Sequence, residues 1–118
     1  MVTLYGIPNC DSIKKARKWL AEANIDYQFH DLRKDGLSKQ QLVNWESDVG
    51  WETLLNRRGL TWRKVPDAVK ATMHKDAALD LMLEQPAIIK RPVLDTGQQR
   101  FIGFNPEHYQ SIFNLKDI

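Results

Sequence analysis

Residues 2–30 read VTLYGIPNCDSIKKARKWLAEANIDYQFH, and the way the hydrophobic pattern changes along this stretch decides the fold. Residues 2–5 predict a short strand, and residues 6–9 have the composition of a turn. Apolar side chains then recur at steps of three and four over 11–23, which indicates an amphipathic helix. From 25 to 30 apolar and polar residues alternate, which indicates a second strand. A strand, a helix and a strand in about thirty residues predict a βαβ unit with parallel strands.

The middle of the chain is predicted to be helical and the last third to return to strands. A capping box begins at Ser38, and apolar faces predict three or four helices over roughly 38–85. Short strands at 92–94 and 100–102 flank a hairpin turn that contains Thr-Gly. Asn105, followed by proline, predicts the start of a last helix.

This order of elements predicts an α/β fold with a mixed four-stranded sheet, βαβ and then ββα, and an inserted helical subdomain. The 118 residues are enough for one domain over 1–118. The composition, 42% hydrophobic and 27% charged, argues against a disordered or low-complexity chain.

The charge balance and hydropathy exclude several classes of function. Seventeen Lys and Arg against fifteen Asp and Glu give a net charge of +2, which is small for a dedicated nucleic-acid-binding protein. No apolar stretch is long enough to span a bilayer, and none has the pattern of a signal peptide. We therefore expect a cytoplasmic monomer that binds neither nucleic acid nor membrane.

Cys10 is the only cysteine, which excludes an intramolecular disulfide and a multi-cysteine metal site. The histidines, His30, His74 and His108, lack the spacing of metal ligands, and we expect no metal site. Cys10 lies where the first turn meets the first helix, whose unpaired N–H groups carry a partial positive charge. A thiolate is stabilised there, and Lys14 adds charge if its side chain reaches back, so we expect a lowered thiol pKa. The alternative is a small, buried and unreactive cysteine.

Four ordered blocks of the sequence resemble the arsenate reductase, Spx and YffB group of thioredoxin-like proteins, and the YffB branch most closely. The blocks are 4–16, 30–37, 50–59 and 86–94. Together they extend over nearly the whole chain, and the resemblance implies a thioredoxin-like fold.

The resemblance also implies roles for individual residues. Cys10 would be the nucleophile that forms a covalent thiol adduct, and Arg91 would precede a cis Pro92 beside it. Arginine offers a planar fork of donors that suits a carboxylate or an oxyanion. Further candidates for binding substrate or glutathione are Asn9, Lys14, Arg57 and Arg58.

Three positions depart from the patterns of related enzymes. Ile13 replaces the second cysteine of a Cys-x-x-Cys pair, so an external thiol, for which glutathione is the natural candidate, must resolve any mixed disulfide. Gly6 stands where glutaredoxin-dependent arsenate reductases carry a histidine, and Gly103 where they carry an arginine. The resemblance thus implies a monothiol, glutathione-dependent thiol reductase acting on a small-molecule or protein thiol or disulfide. It implies glutathione as co-substrate, no tightly bound cofactor, and does not single out arsenate.

A second interpretation stays open, because Spx-type members of the same group act by docking on a protein partner, RNA polymerase. On this interpretation the chain is a non-catalytic binding module, although it lacks the second cysteine of a redox switch.

Overall fold

The computed structural model describes residues 1–114. The helices and strands, in chain order, are β1 (Val2–Gly6), α1 (Asp11–Glu22), β2 (Tyr27–Asp31), α2 (Lys39–Val49), α3 (Trp51–Leu54), α4 (Leu60–Arg63), α5 (Asp67–Ala71), α6 (Lys75–Glu84), a 3₁₀ turn (Pro86–Ile88), β3 (Val93–Asp95), β4 (Arg100–Ile102) and α7 (Pro106–Ile112). The chain divides into two compact units. The first contains Met1–Asp31 and the chain from Arg91 onward, and the second is Leu32–Lys90.

The first unit contains the whole sheet, in the order β2-β1-β3-β4. β1 is parallel to β2 and antiparallel to β3, and β3 is antiparallel to β4. Leu4 at the centre of β1 pairs with Phe29 on one side and Leu94 on the other. The predicted mixed sheet, βαβ and then ββα, is confirmed, and its topology is that of the thioredoxin-like fold.

The core of the first unit lies between the sheet and the helices that follow its strands. Its fully buried members are Leu4, Ala16, Leu20, Leu94 and Tyr109. Ala16 and Leu20 come from the predicted apolar stripe of α1, whereas Tyr109 comes from α7. Burial of these side chains removes apolar surface from water and holds the helices on the sheet.

The predicted hairpin and the predicted start of α7 are both confirmed. In the hairpin the N–H of Thr96 donates to the Gln99 carbonyl at 3.0 Å, and Gly97 takes a φ of +91° that favours glycine. At α7 the side chain of Asn105 accepts a hydrogen bond from the N–H of His108 at 3.1 Å, with proline in the first turn.

The second unit is helical, as predicted, but it contains five helices where the sequence predicted three or four. The contacts within the chain give this unit the bounds 32–90, wider than the predicted 38–85. The predicted capping box is present: Ser38 Oγ accepts from the Gln41 N–H at 3.1 Å, and Gln41 Oε1 accepts from the Ser38 N–H at 3.0 Å. The extra helix is α4: a glycine at position 59 predicts the end of a helix, whereas in the structure Gly59 is the N-cap of α4.

By their helical or turn positions, the sequence predicts that three tryptophans, Trp45, Trp51 and Trp62, lie in the core, with the alternative that Trp62 lines a pocket; only one of the three is buried. Trp45 is 1% exposed, whereas Trp51 and Trp62 are only partly buried, so the expectation for these two is wrong. The Arg57 guanidinium carbon lies 5.9 Å from both of their ring centroids, and the Lys70 ammonium lies 5.3 Å from that of Trp62. An indole under a solvated cation stays near the surface because the cation must remain hydrated.

Within residues 1–114, every helix is too short or too polar to cross a membrane.

Candidate active site around Cys10

Cys10 is the N-cap residue of α1, directly after the turn that leaves β1. Its backbone is extended, with φ of −104° and ψ of 132°, and its carbonyl accepts the first helical hydrogen bond, from the N–H of Lys14 at 3.0 Å. The side chain is partly exposed. The sequence predicted this position, and a thiol here faces the N–H groups of the first helical turn, which have no partners inside the helix.

The surroundings of the sulfur favour its ionised form. Partial burial opposes ionisation, but hydrogen bonds from the backbone N–H groups of Ile13 and Ser12, and then the hydrogen bond and positive charge of Arg91, outweigh it. The pKa of the Cys10 thiol is therefore lowered from its ordinary value, as the sequence predicted. The Ile13 and Ser12 N–H groups face the sulfur without closing a capping hydrogen bond of full geometry, and they act on its charged form. The cation that contributes to this lowered pKa is Arg91, and Lys14 is exposed.

Arg91 and Pro92 lead into β3, on the other side of β1 in the sheet from β2. The Arg91–Pro92 peptide bond is cis, as the family resemblance implied, and Pro92 is buried. The Pro92 carbonyl accepts a hydrogen bond from the N–H of Gly103 at 2.9 Å. Gly103 has a φ of +87°, a conformation that an arginine in its place adopts only at a cost.

Tyr109 supports this segment from α7. Its hydroxyl donates to the Gly103 carbonyl at 3.4 Å, and burial raises the pKa of Tyr109, which keeps the hydroxyl protonated as a donor. A line of hydrogen bonds therefore runs from Tyr109 through Gly103 to the carbonyl of Pro92, next to the residue that contacts Cys10. No local pattern in the sequence predicts this line of hydrogen bonds.

The predicted site residues fall into two groups. Cys10 and Arg91 are in direct contact in the first unit, Pro92 follows Arg91, and Asn9 is exposed beside Cys10. Lys14 is exposed, and Arg57 and Arg58 lie in the second unit. There Arg57 lies over two indoles, and the N–H of Arg58 donates to Asn56 Oδ1 at 3.0 Å. A binding role for Asn9, Lys14, Arg57 and Arg58 stays a prediction.

Comparison with known proteins shows relatives along nearly the whole chain. An uncharacterized protein of Haemophilus influenzae is 45% identical over 113 residues, which are 96% of this chain and 99% of that protein. The global transcriptional regulator Spx of Streptococcus pyogenes is 29% identical over 116 residues, 97% of this chain and 86% of the regulator.

Solved structures give the same result. A protein named YFFB superposes with a TM-score of 0.90 at 45% identity, covering 94% of this chain and 97% of that one. An arsenate reductase (ArsC) related protein from Brucella melitensis superposes with a TM-score of 0.79 at 47% identity, covering 97% and 95%. The model of the ArsC family matches residues 5–112. The chain therefore belongs to the ArsC family, as an arsenate reductase-like protein with a single thiol.

Proposed function

We propose that this protein is a glutathione-dependent thiol reductase in which Cys10 is the nucleophile. The observation that carries the proposal is the set of donors around the sulfur: the N–H groups of Ile13 and Ser12 and the guanidinium of Arg91, which together lower the thiol pKa. A thiolate is the reactive form of cysteine, and these donors favour it in a partly exposed position that a substrate can reach.

The first step is a thiol–disulfide exchange with a substrate that carries glutathione in a mixed disulfide. The Cys10 thiolate attacks the glutathionyl sulfur, and a new bond between the two sulfurs forms as the substrate disulfide breaks. The substrate leaves as a thiolate and takes a proton from water. In the new disulfide the Cys10 sulfur carries no charge, so its stabilisation by the N–H groups is lost. This favours the reverse reaction, in which the substrate thiolate attacks the adduct, unless a second thiol reacts with the adduct first.

The second step returns the enzyme to its starting state. Because the chain has one cysteine, a second molecule of glutathione attacks the glutathionyl sulfur of the adduct, as its thiolate. Cys10 leaves as a thiolate into the same hydrogen bonds, and glutathione disulfide is released. The substrate has gained two electrons, and the glutathione disulfide carries the oxidising equivalents away. No tightly bound cofactor enters either step.

Arg91 is the residue best suited to hold glutathione during both steps. A guanidinium has five N–H donors in a fixed fork, enough to serve the sulfur and a carboxylate at once. Asn9, Lys14, Arg57 and Arg58 are lesser candidates for the same ligand. Main-chain groups beside Pro92 suit pairing with an extended peptide such as glutathione.

The test follows reduction of a mixed disulfide between glutathione and a small thiol, with glutathione and glutathione reductase present, by the consumption of NADPH. Cys10→Ser is expected to abolish turnover, and mass spectrometry is expected to find one glutathionyl adduct on the native chain and none on the variant. Arg91→Ala is expected to raise the KM for glutathione more than it lowers kcat, with Arg63→Ala as a control at an exposed arginine. Full exchange activity in Cys10→Ser protein contradicts the proposal, and arsenate assayed in parallel shows whether an oxyanion is also a substrate.

A second candidate, a non-catalytic binding module, is favoured by the likeness to the transcriptional regulator Spx over 116 residues. On this candidate the protein acts through a protein partner and Cys10 is dispensable. Co-purification of a stable partner with both the native chain and Cys10→Ser, together with absence of glutathione turnover, supports it over the reductase.

A further inference from the structure

Gly6, the last residue of β1, and Ile13, in the first turn of α1, are in unusually close contact. Both are buried, and Ile13 has no exposed surface. A Cβ atom placed on Gly6 would lie 2.8 Å from Cγ1 of Ile13 and would overlap its Cδ1. Since real side chains do not approach so closely, the isoleucine occupies the space that a side chain at position 6 would need.

We infer that the close packing of Ile13 against Gly6 holds the first turn of α1 against the end of β1, and that it thereby positions the backbone N–H donors that face Cys10. The inference deepens the proposed function, because it concerns how the nucleophile of that reaction is held. Neither residue touches a substrate, and both are positioning residues.

The glycine is required by the close approach and not by its backbone conformation. The described glycines with positive φ are Gly36, Gly50, Gly97 and Gly103, so an alanine at position 6 meets no backbone strain. The obstacle is the side chain of Ile13 alone. In addition, Gly6 is held in the sheet by its pairing with Asp31 of β2, so the strand end is not free to move away.

The contact closes the turn that contains Cys10. Residues 7–12 lie between the two partners in sequence, and Ile13, which directly follows this segment, packs its side chain against the end of the strand. The backbone N–H of the same Ile13 is the foremost donor to the sulfur. A side chain at position 6 must displace the side chain of Ile13, and because Ile13 is fully buried we expect its backbone N–H group to shift as well.

The identity of residue 13 fits this role. It occupies the position at which a Cys-x-x-Cys pair carries its second cysteine, and here an isoleucine fills that position with buried apolar volume. The position that serves chemistry in a dithiol protein serves packing in this chain.

The experiment measures the rate of alkylation of Cys10 by iodoacetamide as a function of pH, in folded protein, with urea unfolding of each variant. Gly6→Ala is expected to raise the midpoint of the profile and to slow alkylation at neutral pH by about threefold, comparable to losing part of one hydrogen bond to a charged group. Gly6→Ala/Ile13→Val removes Cδ1, the atom that overlaps most, while it keeps a buried β-branched side chain at position 13, and it is expected to return the midpoint toward that of the native chain. Gly59→Ala, at a glycine with φ of −86° in the second unit, is the matched control and is expected to leave the profile unchanged.

An unchanged midpoint in folded Gly6→Ala overturns the inference. If Gly6→Ala does not fold, the double variant provides the test, and the inference requires that it folds and has a near-native midpoint. The inference is also overturned if the midpoint of the double variant stays raised, or if the double variant is no more stable than Gly6→Ala. The readout contains no glutathione, so loss of the proposed reductase function leaves this result interpretable on its own.

Discussion

The guanidinium of Arg91 donates a hydrogen bond to the sulfur of Cys10. Cys10 lies in the connection from β1 to α1, whereas Arg91 lies in the loop before β3, far away in the sequence. The contact brings a fixed positive charge to a thiol that already faces the start of a helix. A charge-assisted hydrogen bond to sulfur combines two effects, the bond itself and the Coulomb attraction, and both disappear with the arginine.

Arg91→Ala is expected to raise the midpoint of the pH profile of Cys10 alkylation, because the thiolate loses a donor and a neighbouring positive charge. For a partly exposed pair, alkylation at neutral pH should slow by up to about fivefold. Arg91→Lys keeps the charge without the planar fork of donors, and its midpoint should lie between those of the native chain and Arg91→Ala. A midpoint in Arg91→Ala equal to that of the native chain would show that the helix N–H groups act alone.

The stability of the protein is expected to depend on pH through Cys10. Because the folded-state pKa lies below that of an unfolded cysteine, ionisation stabilises the fold. This contribution is complete above the unfolded value of about 8.5 and is lost as the pH falls through the lowered folded value. The difference in free energy of unfolding between the native chain and Cys10→Ser should therefore grow with pH and level off above about 8.5. Urea unfolding at a series of pH values, with reductant present, tests this. A difference in free energy of unfolding that grows toward low pH would contradict the prediction.

Arg57 and Arg58 are neighbours in sequence with different surroundings, and they form a matched pair of variants. Arg57→Ala removes a cation from over Trp51 and Trp62 and is expected to cost about 0.5–1 kcal/mol of stability, whereas Arg58→Ala should cost less. Urea unfolding followed by tryptophan fluorescence measures both. If either residue binds glutathione, that variant alone raises the KM for glutathione, a change that the loss of stability does not produce.

The capping box at the start of α2 is expected to contribute to the stability of the second unit. Ser38→Ala removes the acceptor for the Gln41 N–H and should cost about 1 kcal/mol. Ser47→Ala, at an exposed position inside the same helix, is the control and should change little or slightly stabilise the helix. Equal effects of the two substitutions would contradict a capping role.

Much of the fold could be predicted because local patterns and tertiary packing agree. The period change from β1 through α1 to β2 predicts the parallel pair, and Asn105-Pro106 predicts α7. Because the alternation begins at residue 25, the sequence predicts a start of β2 that is two residues too early. In the structure the N–H of Ile25 donates to the Leu20 carbonyl at 3.0 Å and closes the end of α1, so the strand begins at Tyr27.

The candidate site could be predicted only in part. The position of Cys10 at a helix start follows from local sequence, since a turn precedes an amphipathic stripe. The role of Arg91 and the cis bond before Pro92 came from family resemblance, since no local pattern indicates which arginine faces a distant cysteine. The close contact between Gly6 and Ile13 depends on the angle between a strand and a helix, which hydrophobic periodicity does not encode.

The sheet-bearing unit is discontinuous in sequence, since Leu32–Lys90 is inserted between β2 and the segment that begins with Arg91. During synthesis from the N-terminus, the ribosome therefore makes Cys10 long before Arg91 and the two remaining strands. A nascent chain that ends before Arg91 carries a thiol without that charge and a β1 without its β3 neighbour. The lowering of the Cys10 pKa is thus complete only after the segment that begins with Arg91 has been synthesised.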